Sequence, residues 1–235
     1  VSANVSLYGK DGNDVLTGGS GNDRLYGNAG ADELRGGAGN DSLYIDGDDT
    51  VIEGGDGIDR VFVLSSDNTT IDLAASNVEY AKGNAGADVF DASGVTANVS
   101  LYGQGGNETL TTSSGADRLY GNDGNDILSA GAGNDRLYAG QGDDTLSGGD
   151  GTDIFYFYEE TGNNTITDYK AFEKLIFTGS NFNSDDLSVT QNGNDAVLTF
   201  NNVEDFELTV ENVDATDFDA AQGSSNLTID FNTVV

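Results

Sequence analysis

Apolar residues recur every nine positions along two stretches of the chain, 9–62 and 103–156, a period that fits neither a helix nor a long strand. In each nonapeptide, position four is nearly always Gly, position six is Asp and position eight is Leu or another apolar residue. Gly permits the backbone conformations of tight turns, so the first six residues predict a turn. The last three alternate polar, apolar and polar, which predicts a very short strand with position eight inside.

An eighteen-residue period lies over the nine-residue one, because position nine is aromatic only in every second unit. If one unit forms half a coil, the aromatic units and the alternate units lie on opposite outer faces. This predicts a flattened, right-handed parallel β-solenoid with one aromatic and one polar face. The aromatic set is Tyr8, Tyr26, Tyr44, Phe62, Tyr102, Tyr120, Tyr138 and Tyr156. The polar set is Thr17, Arg35, Glu53, Thr111, Ser129 and Ser147.

The aromatic face has two compatible interpretations. Cross-strand stacking, with cation–π pairing to arginines at position seven, would stiffen the sheet. An aromatic surface of this size also suits docking of another copy or another domain. The arginines are Arg24, Arg60, Arg118 and Arg136.

A longer repeat joins the two stretches. VSANVSLYG at 1–9 matches VTANVSLYG at 95–103, and the match continues at a constant offset through GGDG at 54–57 and 148–151. We therefore predict a first block over 1–62, a connector over 63–93 with one isolated turn, a second block over 94–156 and a C-terminal region over 157–235. The first block begins in mid-unit, so we expect it to be the end of a longer array.

The C-terminal region changes pattern. Alternation in DLSVTQNGNDAVLTF and DFELTVENV predicts antiparallel strands, with a hairpin at Asn192-Gly193. A short helical turn is expected over 215–221. The predicted fold is therefore all-β: a right-handed parallel β-roll in two duplicated blocks with a C-terminal antiparallel β cap.

Composition narrows the chemistry. The chain has no His and no Cys, which removes His-based triads, thiolate nucleophiles and the usual zinc and haem sites. With 41 acidic against 9 basic residues, the net charge is −32, which disfavours nucleic acid and anionic membranes. There is no long apolar run and no N-terminal signal peptide pattern. We expect a soluble protein that is not an enzyme and does not insert into membranes.

The position-six carboxylates need a counter-charge. Stacked coils lie about 4.8 Å apart, so these groups would form two columns at that spacing. At an effective dielectric constant near 20, neighbouring charges would repel by roughly 3 to 4 kcal/mol. Calcium fits this site, because it takes six to eight oxygens, backbone carbonyls included, in flexible geometry; magnesium fits less well. Without calcium, we expect the Gly-rich, acidic chain to be disordered.

This pattern resembles the RTX repeat, the calcium-binding β-roll nonapeptide of proteins exported by type I secretion. The resemblance covers roughly half of the chain and implies roughly eight calcium ions. It places each ion between turns eighteen residues apart: carbonyls of positions two and four and the Asp of one turn, carbonyls of positions one and three and the Asp of the next. One implied site combines Gly19, Gly21 and Asp23 with Gly36, Ala38 and Asp41. Another combines Gly131, Gly133 and Asp135 with Gly148, Asp150 and Asp153.

The full implied ligand set follows the same rule. Its carboxylates are Asp14, Asp23, Asp32, Asp41, Asp49, Asp59, Asp117, Asp126, Asp135, Asp144 and Asp153. Its carbonyl ligands are Gly12, Gly19, Gly21, Gly27, Gly30, Gly36, Gly37, Ala38, Gly39, Gly54, Asp56, Gly115, Gly121, Asp123, Gly124, Ala130, Gly131, Ala132, Gly133, Ala139, Gln141, Gly148 and Asp150. Two turns depart from the pattern: Asp49 comes one residue early, and Glu108 replaces Asp, which we expect to weaken its site.

The resemblance also implies a location and a partner. Such chains stay extended at low cytoplasmic calcium, pass through a type I secretion apparatus and fold outside the bacterium, with the secretion signal in 157–235. We expect a secreted, structural protein of the S-layer, adhesin or extracellular-matrix type that can contact its own copies through the aromatic face. The alternative is the C-terminal secretion and folding module of an RTX protease, lipase or epimerase. Glycan binding along the tyrosines is a third possibility.

Overall fold

A computed structural model describes residues 3–158, 162–170 and 172–218, and the backbone of 228–232. Short strands coil into a parallel β-solenoid of about nine turns, with about 52% of the chain in strands, which confirms the all-β prediction. One outer wall is an eleven-stranded sheet, which we call the aromatic sheet. In spatial order it contains β1 (Ser6–Asp11), β3 (Arg24–Ala29), β5 (Ser42–Ile45), β7 (Arg60–Val63), β9 (Tyr80–Lys82), β11 (Ser100–Gly105), β14 (Arg118–Asp123), β17 (Arg136–Gln141), β20 (Ile154–Tyr158), β22 (Lys174–Thr178) and β26 (Thr228–Asn232).

The described residues form three further sheets, and their strands at positions seven to nine make up the opposite wall. A nine-stranded sheet contains β8 (Thr70–Asp72), β10 (Val89–Asp91), β12 (Thr109–Thr111), β15 (Ile127–Ser129), β18 (Thr145–Ser147), β21 (Asn163–Ile166), β25 (Glu207–Val210), β24 (Asp195–Phe200) and β23 (Leu187–Asn192). Two three-stranded sheets contain β2 (Val15–Ser20), β4 (Glu33–Ala38) and β6 (Val51–Asp56), and β13 (Ser114–Gly115), β16 (Ala132–Gly133) and β19 (Asp150–Gly151). Among the described residues, the helical elements are α1 (Leu73–Ser76) and two 3₁₀ turns, Ser184–Asp186 and Ala215–Phe218.

Strand register confirms the double period. Tyr8 lies opposite Tyr26, and Tyr26 opposite Tyr44, in parallel pairs eighteen residues apart. Leu16 pairs with Leu34 on the opposite wall in the same way. Two nonapeptides therefore complete one coil and bring the chain back to the same face.

Position eight supplies the core between the two walls. Its leucines are fully buried from the second coil onwards, as Leu25, Leu43 and Leu119 illustrate. Burial of each such side chain contributes about 1.5 to 3 kcal/mol relative to leaving it exposed. Each half-coil contributes only one apolar side chain from position eight, so the core is a narrow column.

The connector 63–93 continues the solenoid although it has lost the nonapeptide frame. Its strand β9 pairs in parallel with β7 on one side and β11 on the other, and β10 pairs with β8 and β12. These coils are longer, with column partners Asp59 and Glu79 spaced 20 residues apart. The division into two blocks and a connector stays a prediction, since the hydrogen-bonded sheets run through all three.

The C-terminal region closes the solenoid in a mixed way. Strands β23, β24 and β25 are antiparallel, with Leu187 opposite Phe200. The predicted hairpin is present, and Gly193 has a left-handed φ of 66°. Strands β20, β22 and β26, and β21 with β25, continue in parallel. The predicted helical turn begins at Ala215 as a 3₁₀ turn, and residues 219–221 lie outside the described part.

Candidate metal sites in the turns

The position-six carboxylates form two columns of hydrogen bonds along the edges of the solenoid. In most turns one carboxylate oxygen, Oδ1, accepts a hydrogen bond from the backbone N–H one coil earlier. The bond from Asp23 N–H to Asp41 Oδ1 is 2.7 Å long, and that from Asp117 N–H to Asp135 Oδ1 is 2.8 Å long. Oδ1 of Asp23, Asp32, Asp49, Asp59, Asp88, Asp117, Asp126, Asp144 and Asp153 makes the same bond. One carboxylate oxygen per turn thus joins neighbouring coils.

The second oxygen of nearly every column carboxylate is buried and has no hydrogen-bond donor. This set comprises Oδ2 of Asp14, Asp23, Asp32, Asp41, Asp59, Asp117, Asp126, Asp135, Asp144 and Asp153, both Glu108 oxygens and Oε1 of Glu173. A buried polar atom without a partner costs about 1–3 kcal/mol, and more when it is charged. An array of such atoms requires either protons or cations.

Burial accordingly shifts the pKa of these groups upward. Desolvation raises the pKa of Asp135 and Asp144 to about 7, against backbone hydrogen bonds that act in the opposite direction. It raises the pKa of Asp59 to about 6. Burial, followed by the charge of Asp126, raises the pKa of Glu108 well above its ordinary value. Burial therefore opposes ionisation of these carboxylates, and a cation that bound them would displace protons.

Carboxylate and carbonyl oxygens lie close to the Cα of the position-one glycines. A Cβ atom on Gly18 would lie 2.3 Å from Asp23 Oδ2 and 2.6 Å from the Gly36 carbonyl oxygen. A Cβ atom on Gly36 would lie 2.3 Å from Asp41 Oδ2 and 2.5 Å from the Gly54 carbonyl oxygen. The unpartnered carboxylate oxygen of one turn and the position-one carbonyl of the next thus lie next to each other.

Carbonyls of positions two and four point forward along the solenoid. The Gly19 oxygen would be 2.1 Å from a Cβ on Gly37, and the Gly21 oxygen 2.2 Å from one on Gly39. Gly37 and Gly39 also have φ values of 113° and 125°, which L-residues rarely adopt. The second implied site repeats this arrangement, with Gly131 and Gly133 carbonyls against Gly149 and Gly151.

Position-three residues contribute differently. The Ala38 carbonyl accepts a 2.8 Å hydrogen bond from Gly21 N–H, and the Asp56, Asp123 and Gln141 carbonyls accept equivalent bonds. One lone pair of each of these oxygens is therefore already in use. The Asp56, Asp123 and Asp150 side chains are exposed and lie outside the columns.

This donor set fits calcium. The described residues contain no cluster of three or more acidic, His or Cys side chains able to hold a metal by themselves. Each gap between turns instead offers unpartnered carboxylate oxygen together with backbone carbonyls, the oxygen ligands that calcium accepts in flexible geometry. When bound, calcium would supply the positive charge that the columns lack. The assignment of particular oxygens to particular ions, and the count of about eight, stay predictions.

Asp49 and Glu108, the two acidic residues that depart from the repeat pattern, differ in how many of their oxygens lack a hydrogen-bond donor. Asp49 accepts hydrogen bonds at both oxygens, from Asp32 N–H at 2.9 Å and from Asp46 N–H at 3.0 Å, so it lacks the free oxygen of the other turns. Glu108 is 1% exposed and has both oxygens unpartnered. The expected weakness therefore has a structural basis at Asp49. At Glu108 the longer side chain leaves two oxygens free.

Sequence reasoning missed several members of the columns. Glu79 accepts the Asp59 N–H at 2.8 Å, Asp88 is fully buried, and Glu173 is fully buried at the end of one column. Only Asp88 carried a signal, since it closes the GNAGAD turn of the connector. Glu79 and Glu173 lie outside the nonapeptide frame, and only the coiling of the chain places them in line.

A second ladder, of asparagines, runs outside the carboxylates. Position-five Oδ1 accepts the backbone N–H one coil later, as in the 2.8 Å bond from Asn40 N–H to Asn22. Asn4, Asn13, Asn40, Asn68, Asn98, Asn107, Asn125 and Asn134 make the same bond. These bonds point forward, whereas the Asp bonds point back, so the turns are tied in both directions. The recurrent Asn before Asp was the available signal.

The aromatic face carries a row of nine rings, which we call the ring ladder; the rings are stacked within each block and tilted on either side of Tyr80. Ring centroids are 4.2 Å apart between Tyr26 and Tyr44, with an interplanar angle of 7°. Tyr80, which lies outside the repeat, joins the two blocks at 5.6 Å from Phe62 and 5.2 Å from Tyr102. Burial and neighbouring tyrosines raise the pKa of Tyr102 to about 12. The predicted stacking is confirmed, and cation–π pairing stays a prediction.

Fold and site together define a parallel β-roll whose turns are built for calcium. A family model, the RTX calcium-binding nonapeptide repeat in 4 copies, matches residues 8–43, 102–137 and 129–158, which lie in the two stretches of nonapeptides. RTX repeats bind calcium, and proteins that carry them are typically secreted by bacteria through type I export.

Whole-chain comparisons with known proteins show little similarity. No curated protein matches it. Among solved structures, the chain is similar to the extracellular lipase LipA from Serratia marcescens at 16% identity and a TM-score of 0.29, over 97% of this chain and 38% of that chain. The chain thus spans well under half of that lipase, and a TM-score this low does not establish a shared overall fold. Among the described residues, no helix is long and apolar enough to cross a membrane.

Proposed function

We propose that this chain is part of a non-catalytic, calcium-folded extracellular protein of the S-layer, adhesin or matrix type, which assembles through its ring ladder. The observation that carries the proposal is the continuity of the ladder from Tyr8 to Tyr156 through both repeats and the connector. Calcium binding requires the turns and the columns but does not require aromatic rings at position nine. The ladder therefore has a separate role.

Calcium supplies the switch in this proposal. The chain carries a net charge of −32, and the unpartnered carboxylate oxygens lie in buried columns. At low calcium, repulsion along the columns opposes coiling and keeps the chain extended for a type I export apparatus. Outside the cell, calcium binds the folded state and not the extended one, so its binding free energy stabilises the fold.

Ring orientation favours protein docking over glycan binding. Inner rings of the ladder are covered on both faces by their neighbours, as the 4.2 Å spacings on either side of Tyr138 show. A sugar platform needs an open ring face, whereas this surface offers ring edges and a row of hydroxyls. A cleft of about 330 Å³ opens on this face and could receive side chains of a partner. It is lined in part by Tyr120, Tyr138 and Tyr158.

A second copy is the occupant that this face suits. The ladder repeats at the spacing of the strands and has the position-seven arginines two residues before the rings, so two copies could interdigitate along their length. The opposite wall differs, since Arg35 there is paired with Glu33 at 2.8 Å and with Glu53 at 3.0 Å. The absence of His and Cys from the sequence supports a role without catalysis.

Assembly in calcium tests this proposal. Analytical ultracentrifugation and electron microscopy of the wild-type chain in millimolar calcium should show filaments, sheets or oligomers. Replacement of Tyr44 and Tyr120 by Ser should shift the protein to monomer while calcium-induced β-structure remains. Replacement of Thr17 and Ser129 by Ala, on the polar wall, is the matched control and should leave assembly unchanged.

A wild-type chain that stays monomeric at high concentration in calcium would contradict the assembly role. It would favour the alternative, a secretion and folding module of an RTX-type protease, lipase or epimerase. In that case the coding sequence upstream of Val1 should contain a zinc-binding His motif or a nucleophilic serine on a sharp turn.

A further inference from the structure

The last turn of the second repeat block, 148–153, ends its column differently from the turns before it. In inner turns the position-two carbonyl faces the glycine of the next turn, so that the Gly131 oxygen would be 1.7 Å from a Cβ on Gly149. No further nonapeptide turn follows Asp153 in the sequence. The Gly149 carbonyl therefore needs another partner.

Lys170 provides that partner. Its Nζ donates a hydrogen bond to the Gly149 carbonyl and another, 3.0 Å long, to Asp150 Oδ1. The same 3.0 Å contact is an ion pair, which places the ammonium charge at the end of the column. A cation from the protein thus lies at a carbonyl of the type implied to bind calcium in earlier turns.

Buried carboxylates lie at the end of the column near Lys170. Asp153 Oδ2 and Glu173 Oε1 are unpartnered, and both residues are 0% exposed. Asp168 accepts hydrogen bonds from Gly148 N–H at 3.0 Å and from Gly149 N–H at 2.8 Å. Carboxylate and carbonyl oxygens thus gather around the end of the column, as in the inner turns, and the ammonium group supplies positive charge there.

The first block ends in a parallel way. Its last turn, 54–59, corresponds to 148–153, and its position-two carbonyl on Gly55 accepts a hydrogen bond from Asn77 Nδ2. Asn77 adopts a left-handed conformation with φ of 51° at the end of α1, outside the repeat. Two unrelated segments therefore place a side-chain nitrogen on equivalent carbonyls.

We propose that Lys170 takes the place of a divalent cation at the last turn and so ends the calcium column with a charge from the chain itself. Its removal opens a further calcium site, formed by the Gly149 carbonyl, Asp153 and Glu173. This inference rests on calcium binding by the repeats and is independent of the proposed assembly through the ring ladder.

Ion counting tests the inference. Calcium bound per chain is measured by native mass spectrometry, and by elemental analysis after gel filtration in calcium. Lys170→Ala should bind one more calcium ion than the wild type. Lys170→Arg, which keeps the charge, and Lys174→Ala, which removes an exposed lysine from β22, should bind the wild-type number. A Lys170→Ala count equal to or below that of the wild type would overturn the proposal.

A measurement on the wild type keeps the inference testable if Lys170→Ala does not fold. Crystals grown in calcium and soaked in terbium should show anomalous peaks between the inner turns and none within ligand distance of the Gly149 carbonyl. A peak beside that oxygen in the wild type would show that Lys170 does not replace the ion. Monomeric behaviour in either experiment concerns only the assembly role and leaves this inference unaffected.

Discussion

The backbone N–H of Asp23 donates a 2.7 Å hydrogen bond to Oδ1 of Asp41, one coil further along, while Oδ2 of Asp41 is buried without a donor. The two oxygens of one carboxylate therefore have separate tasks. Oδ1 links neighbouring coils by a hydrogen bond, and Oδ2 is available to bind a cation. This division recurs along both edges of the solenoid and is the basis for separating the structural and metal-binding roles of each turn.

Asp41→Asn should separate those two roles. The amide oxygen can still accept the Asp23 N–H, but the group loses the charge that binds calcium. We expect about one fewer bound calcium ion and a loss of about 1–3 kcal/mol in the free energy of unfolding in saturating calcium. Denaturant titration and ion counting measure both. Asp56→Asn, an exposed position-three residue, should change neither; equal effects of the two substitutions would refute the assigned roles.

Gly36→Ala should be costly for steric reasons alone. Its Cβ would lie 2.3 Å from Asp41 Oδ2 and 2.5 Å from the Gly54 carbonyl oxygen, so these oxygens would have to shift. We expect a loss of about 1–3 kcal/mol and weaker calcium binding, measured by chemical denaturation at several calcium concentrations. Gly105→Ala is the control, because its Cβ would meet atoms only at 3.9 Å and beyond. A tolerated Gly36→Ala would show that these oxygens are not fixed in place.

Acid should stabilise the metal-free chain. Desolvation raises the folded-state pKa of Asp135 and Asp144 from 3.8 to about 7. A raised pKa means that the folded state holds protons that the unfolded chain releases, so this stability is present below pH 4 and is lost as pH rises toward 7. Circular dichroism in calcium-free buffer should show more β-structure at pH 5 than at pH 8.

Saturating calcium should reverse that dependence. Calcium binds the deprotonated carboxylates, so stability in calcium should rise between pH 5 and pH 8. If β-structure in calcium-free buffer instead increases toward pH 8, protons do not substitute for the cation in the columns.

Calcium removal should abolish the fold at neutral pH. Titration of calcium into chelated protein should produce a cooperative gain of the far-ultraviolet β-signal, because binding stabilises only the coiled state. Magnesium at the same concentration is the control and should produce little change, because it prefers rigid octahedral geometry. A chain with full β-signal in chelator at pH 8 would contradict calcium-driven folding.

Tyr80 should contribute more stability than the end of the ring ladder. It contacts two rings, Phe62 and Tyr102, whereas Tyr8 stacks on Tyr26 alone among the described rings. At about 0.5–1.5 kcal/mol per aromatic pair, Tyr80→Ser should cost about 1–3 kcal/mol and Tyr8→Ser about half of that. Thermal unfolding in calcium compares the two. A greater cost at Tyr8 would argue against a continuous ladder.

The sequence by itself determined the coil, because its nine- and eighteen-residue periods require equivalent residues to stack. The inward Leu residues, the two carboxylate columns, the aromatic face and the choice of calcium all follow from that spacing. The sequence did not predict the roles of residues that lie outside the periodic pattern. Glu79, Glu173 and Tyr80 lie outside the nonapeptide frame, and nothing in their neighbourhoods in the sequence marks them as members of a column or of the ladder.

Only the tertiary structure decided how each oxygen is used. Whether a carboxylate oxygen accepts a backbone N–H or stays free depends on distances between coils, which no local pattern encodes. The same holds for Asp49, whose two hydrogen bonds remove its free oxygen, and for Lys170, which reaches the Gly149 carbonyl across 21 residues. Repetition fixes contacts between equivalent positions, whereas contacts between repeat and non-repeat residues depend on the path of the folded chain.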